Sequence, residues 1–179
     1  ILATNTSSLS VDEMARELPN PGRVVGMHFF NPVRRMPLVE IVRGSATTDE
    51  TVRRIARLAI DLGKTPVVVR DVPGFLVNRL LAPYLDEAVC LLQEGASPGR
   101  VDRAMKQFGM PMGPFELLDE VGLDIAGHAG LSMERGYGER MIANKFLKPL
   151  LDSGDLGKKT GAGIFRYEKG KKGRPKSVG

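Results

Sequence analysis

Asp71-Val72-Pro73-Gly74-Phe75-Leu76-Val77-Asn78-Arg79 is where the chain changes character. Before it, short β-branched runs alternate with helical patterns; after Pro73, helical patterns take over. Upstream, Ile1 to Thr4, Val24 to Met27, Leu38 to Val42 and Thr65 to Val69 read as strands. Ser10 and Glu13 have capping-box spacing, with Leu9 and Met14 placed as a hydrophobic staple, so a helix is expected from Val11 until Pro19 to Gly22 stops it. Thr48 caps a second helix, whose Val52, Ile55, Ala56 and Ala59 recur at helical spacing and which Gly63 ends as a left-handed cap. This alternation implies part of an open α/β sheet with parallel strands.

Downstream, Val77, Leu80, Leu81, Tyr84, Leu85, Ala88 and Leu92 trace one face of a long helix that contains Pro83 and closes at Gly95. Ser97 as N-cap, Pro98 at the first position and a Val101, Ala104, Met105, Phe108 stripe predict another, ending at Gly109. Shorter helices are expected over about 114–121, 123–133 and 138–151. The glycine-rich stretch 157–167 reads as a docked loop, and disorder is expected from Glu168 onward, where Gly, Lys and Pro dominate. The fold class is therefore α/β followed by all-α, with units at 1–72 and 73–167 and a basic tail or linker at 168–179.

Composition sets the outer bounds. A chain of 179 residues with 42% hydrophobic and 26% charged residues is globular and long enough for one good core or two small ones. Cys90 is the single cysteine, which rules out an internal disulfide and suits a reduced, intracellular thiol. No apolar run approaches the ~18 residues of a membrane span, so membrane insertion is not expected. The net charge of +5 comes from the tail, where Arg166, Lys169, Lys171, Lys172, Arg174 and Lys176 cluster. Those cations lack interleaved aromatics, so a solvated linker is the better reading than a nucleic-acid site.

Candidate chemistry gathers around Met27-His28-Phe29-Phe30-Asn31-Pro32, Val39-Glu40 and Asn78. His28 falls just after a strand, at the edge of an α/β sheet where functional loops lie, and imidazole exchanges protons near neutrality. Glu40 on the next strand is placed to hold one tautomer and stabilise the charged ring. Each has a plainer alternative: a core histidine, a strand-end glutamate in water, and for Asn78 an interhelical hydrogen bond. Ser7 and Ser8 equally suit turn chemistry, Ser8 more so. His128 reads as structural, Lys148 as part of a solvated helix face, and two histidines with one cysteine give no metal pattern.

His28 to Pro32 and Pro73 to Arg79, with Asn5-Thr6-Ser7-Ser8 and the segment Met110 to Asp119, resemble the L-3-hydroxyacyl-CoA dehydrogenase family over residues 1 to 167, and most of all the dehydrogenase part of multifunctional fatty-acid-oxidation alpha subunits. The resemblance implies the C-terminal half of a Rossmann-type doubly wound sheet joined to a helical substrate and dimerisation domain. It implies His28 as catalytic base, Glu40 as its acidic partner, and Ser7 and Asn78 as groups that fix the substrate oxygen. Ser7, Asn31 and Asn5 would border the nicotinamide ribose of NAD. The implied substrate is an acyl-CoA, the setting cytoplasmic or otherwise intracellular β-oxidation, and the partners a second copy of the chain and, in a multifunctional complex, a thiolase subunit; nucleic acid is not implied.

One departure stands out. The family's G-x-G-x-x-G loop is absent; Gly136-Tyr137-Gly138 and Gly161-Ala162-Gly163 follow no strand, and Gly157-Lys158-Lys159-Thr160 lacks the earlier glycine of a phosphate loop. Ile1-Leu2-Ala3-Thr4 also reads as a strand already under way. The expectation is a piece of a longer protein whose pyrophosphate cradle lies upstream. The competing readings are a non-catalytic dimerisation or assembly module and a related dehydrogenase of another 3-hydroxy acid.

Overall fold

The computed structural model describes residues 1–7, 9–168 and, as backbone, 171–175; Ser8, to which the sequence assigned turn chemistry, lies outside them. Ile1–Arg79 and Leu80–Gly179 form two compact units. In the first, β1 (Leu2–Thr4), β2 (Val24–Phe29), β3 (Leu38–Arg43) and β4 (Thr65–Arg70) form one sheet in that order, with α1 (Val11–Ala15) and α2 (Asp49–Asp61) on its connections.

Expectation and structure differ in strand direction. β1 and β2 run parallel, as do β3 and β4, but β2 and β3 are antiparallel. Only eight residues, 30–37, join β2 to β3, too few for the crossover that a parallel pair requires. Gly26 lies opposite Val42, and His28 lies opposite Glu40.

Period-two alternation divides these strands between two cores. Val25, Met27, Val39 and Ile41 pack against Val52, Ile55 and Ala59 of α2. Val24 and Val42 pack on the other side with Val11, Ala15 and Phe75. Burial on both sides explains why the strands read as continuous apolar runs. His28 and Glu40 share register parity with Val24 and Val42, so they belong to the second side.

Local signals set the helices. Thr48 accepts the Thr51 amide as N-cap of α2, and Gly63, at φ 73°, donates to Ile60 while Lys64 donates to Ala59, a complete left-handed C-cap. Ser10 accepts the Glu13 amide, so α1 starts at Val11 as expected, but Leu9 is 63% exposed and the staple does not bury it.

The second unit contains the body of α3 (Val77–Gln93), then α4 (Pro98–Phe108), α5 (Pro114–Val121), α6 (Leu123–Tyr137), α7 (Lys148–Asp152) and the hairpin strands β5 (Phe165–Glu168) and β6 (Lys171–Pro175). Ala88, Val89, Phe115, Leu118, Leu123, Leu150, Ile164 and Phe165 form its core. Two buried aspartates bind its pieces together. Asp102 of α4 accepts the Phe115 and Glu116 amides at the start of α5. Asp119 of α5 accepts the Ile164 and Phe165 amides and the Tyr167 hydroxyl.

Three expectations are corrected here. Phe108, assigned to the apolar stripe of α4, is 82% exposed. Residues 138–151 are not one helix: a 3-10 turn covers Gly138–Met141 and α7 begins only at Lys148. Asn144 accepts the Phe146 amide through its own side chain, which competes with helix, and Pro149 fits the first turn of α7 but not a helix interior. Glu168 and residues 171–175 are paired strand rather than disorder. The Asp119 anchor fixes β5, and a backbone ladder needs no apolar side chain to form. Residues 169–170 and 176–179 of that expected tail lie outside the described residues.

A Cβ at Gly26 would stand 2.6 Å from the Cβ of Val42 and 3.3 Å from Val11. Gly26→Ala is expected to destabilise the protein by about 1–3 kcal/mol through overpacking, read from urea denaturation. Gly99→Ala, where an added Cβ meets nothing within 4 Å, serves as the near-neutral control.

Candidate active site

The antiparallel register puts an imidazole and a carboxylate directly opposite one another on one face of the sheet. His28 Nδ1 lies 2.7 Å from Glu40 Oε2. His28 is buried and Glu40 is wholly inaccessible to solvent. His28 is itself part of β2, one residue before its end, and not beyond the strand as the sequence suggested.

Glu40 has a second set of partners. Its Oε1 accepts the amides of Leu76 at 3.0 Å and Val77 at 2.9 Å, where α3 begins. Unpaired amides at a helix start carry partial positive charge and suit an anion. Burial pushes the Glu40 carboxyl up, but the His28 hydrogen bond, the Val77 and Leu76 amides and the charge of His28 together outweigh it and hold the group below the ordinary carboxylate range. The pair is a carboxylate that stays ionised at neutral pH and an imidazole held at Nδ1, which leaves Nε2 to exchange a proton.

Aromatic rings flank the imidazole. Phe30 lies at a centroid distance of 4.7 Å and Phe75 at 5.7 Å, nearly edge-on at 62°. No sequence pattern gives either ring a role, nor Asp71, whose carboxylate accepts the Ser10 hydroxyl and the Asp12 amide and so ties the start of α1 to the end of β4.

The other candidates lie along the chain from this pair. Asn78 is half-buried in the first turn of α3, one residue beyond the Val77 amide that Glu40 accepts. Asn5 Oδ1 accepts the Phe29 amide at 2.9 Å, tying the loop after β1 to the residue next to His28. Ser7 in that loop and Asn31 after β2 are exposed. Outside this region, Lys148 pairs with Asp152 and His128 Nδ1 meets the Asp124 carbonyl, both within their own helices. Lys158 and Lys159 pair with Glu120 and Asp124, which leaves the Gly157–Thr160 turn without the character of a phosphate cradle.

The two central strands of the sheet carry this buried imidazole–carboxylate pair, in a chain that continues into a helical unit. Residues 1–72 match the NAD binding domain of 3-hydroxyacyl-CoA dehydrogenase and residues 74–167 its C-terminal domain. The chain belongs to the 3-hydroxyacyl-CoA dehydrogenase family. It is similar to 3-hydroxybutyryl-CoA dehydrogenase of Escherichia coli K12, with 41% identity and a TM-score of 0.88 over 93% of this chain and 36% of that one. For (S)-3-hydroxybutyryl-CoA dehydrogenase of Ralstonia eutropha the values are 40% and 0.89, over 94% and 61%. The dehydrogenase part of multifunctional enzyme 1 from C. elegans is 31% identical at a TM-score of 0.68, over 99% and 41%. The chain thus spans between about a third and three fifths of the proteins it matches.

The cofactor implied by the matched domain is NAD. Asn5, Ser7 and Asn31 bring polar side chains to the ends of β1 and β2. The turn from β1 into α1, residues 5–10, contains no glycine to admit a pyrophosphate against the backbone.

Because the folded-state carboxyl of Glu40 is depressed, its contribution to stability is complete above the unfolded value of about 4.3 and is lost as pH falls below it. The stability advantage of the native protein over Glu40→Gln is therefore expected to shrink between pH 5 and the acid limit, measured by urea denaturation at a series of pH values. A gap that stays constant across that range would show that the ionised clamp contributes nothing.

Proposed function

We propose that these residues form the catalytic portion of an NAD-dependent dehydrogenase that oxidises an L-3-hydroxyacyl-CoA to the 3-ketoacyl-CoA in fatty-acid β-oxidation. The observation that carries this reading is the 2.7 Å His28–Glu40 contact, buried and clamped by the amides of Leu76 and Val77. With Nδ1 held by Glu40, His28 takes the proton of the substrate hydroxyl at Nε2, and Glu40 stabilises the imidazolium that results. Ser7 and Asn78 hold the substrate oxygen in place as it becomes a carbonyl. NAD, when bound, supplies the acceptor for the hydride that leaves carbon 3, and Asn5, Ser7 and Asn31 border its ribose.

An acyl-CoA thioester as substrate is supported by the two hydroxybutyryl-CoA dehydrogenases among the similar structures, and a multidomain setting by the worm protein, the dehydrogenase part of a multifunctional enzyme. Among the described residues no helix is long and apolar enough to cross a membrane. In the intact protein, His28→Ala is expected to lower kcat with L-3-hydroxybutyryl-CoA and NAD by roughly 10² to 10⁴, the contribution of a positioned general base. An unchanged rate would exclude His28 from that role.

The same reading includes self-association. Phe108, Ile125, Leu131 and Ile142 of the helical unit are exposed large hydrophobics that a second copy of the chain would cover. Light scattering at several concentrations is expected to give at least a dimeric mass. A monomer throughout would sink this part of the proposal and favour neither alternative for the chemistry.

A further inference from the structure

Phe75 combines three properties that no single structural need explains. Its backbone is left-handed at φ 46°, the lone non-glycine with positive φ among the described residues. Such a conformation strains a residue with a Cβ, and glycine would adopt it freely. Yet the ring is almost entirely buried, among Val11, Ala15, Val24 and Val42. It also stands edge-on to His28, on the same side of the sheet.

The backbone geometry has a local result. Gly74 at φ 74° and Phe75 at φ 46° are consecutive left-handed residues, and the Phe75 amide closes a turn onto the Val72 carbonyl. That reversal turns the next two amides, of Leu76 and Val77, toward one oxygen of Glu40. The other oxygen holds His28. The Phe75 backbone therefore aims the clamp on the acid while its ring contacts the base.

The geometry points to Phe75 as a positioning residue of the catalytic pair, fixing the rotation of the His28 ring with its side chain and the orientation of the Glu40 carboxylate with its backbone. The proposal rests on the reading of His28 as the base. The strain at Phe75 is then retained because glycine would satisfy the turn and leave the imidazole without the ring packed against it. Phe30, on the other contact at 4.7 Å, cannot replace it, since it is only half-buried and takes no part in the turn.

The test uses Phe75→Gly and Phe75→Leu in the intact protein, with His28→Ala in parallel and L-3-hydroxybutyryl-CoA and NAD as substrates. Phe75→Gly is expected to lower kcat roughly ten- to hundredfold, as misaimed groups do. KM should stay within about twofold, because the residue does not touch substrate. Phe75→Leu, which restores apolar bulk against the ring, should recover most of the loss. Wild-type kcat in the folded Phe75→Gly protein would overturn the proposal and reduce Phe75 to a core residue. If Phe75→Gly does not fold, Phe75→Ala, which also removes the ring, carries the test through the proton on His28 Nδ1, followed by NMR. Faster solvent exchange of that proton than in the wild type supports the role; unchanged exchange with unchanged kcat overturns it. A His28→Ala protein of full activity would instead remove the reading on which the proposal rests.

Discussion

A carboxylate with no solvent contact is the constraint around which the first unit is arranged. Glu40 lies at the centre of the sheet with zero exposure, where an unpaired charge would cost several kcal/mol. Both of its oxygens are therefore satisfied, one by His28 and the other by two backbone amides. Meeting that demand requires the antiparallel register that sets His28 opposite Glu40, and a chain reversal at Gly74 and Phe75 that brings the start of α3 to the acid. The close approach of β2 and β3 at Gly26 belongs to the same face. Charge, register and turn are consequences of one another.

The second unit uses the same chemistry to another end. Asp102 and Asp119 are also buried, and also accept pairs of backbone amides. Neither meets an imidazole. Asp119 meets the Tyr167 phenol instead, which burial and the facing carboxylate keep neutral far above its usual range. These two acids join segments of chain. The imidazole on the second oxygen is what separates Glu40 from them.

The contrast also marks what could be read from the residues. Helices whose ends are written in local chemistry were legible: Thr48 and Gly63 bound α2, and the Val77 to Leu92 periodicity gave α3. So were His28 and Glu40, because their motifs stand out and alternate strand positions carry them. The antiparallel turn between β2 and β3 was not, since apolar runs buried on both faces look alike in either direction. Asp102 and Asp119 were missed because their partners are backbone amides 13 to 46 residues away, which no side-chain pattern announces. Phe108 shows the opposite error: helical spacing put it on a stripe, but nothing in the described fold covers it. The 138–151 stretch failed on Asn144 and Pro149, two residues whose local bonding defeats a helix that periodicity alone would allow.

The connections of Glu40 differ in the length of chain they enclose. His28 is 12 residues from it, within a two-stranded hairpin, whereas the amides of Leu76 and Val77 are 36 and 37 residues away. Closing the longer loop costs only about 1 kcal/mol more in chain entropy, since that cost grows as a logarithm. A hairpin can bring acid and imidazole together while α3 is still elsewhere, and the carboxylate then remains wet until the helix start arrives. Along that route the pair is dehydrated by the step that joins the end of the sheet to the first turn of the helix.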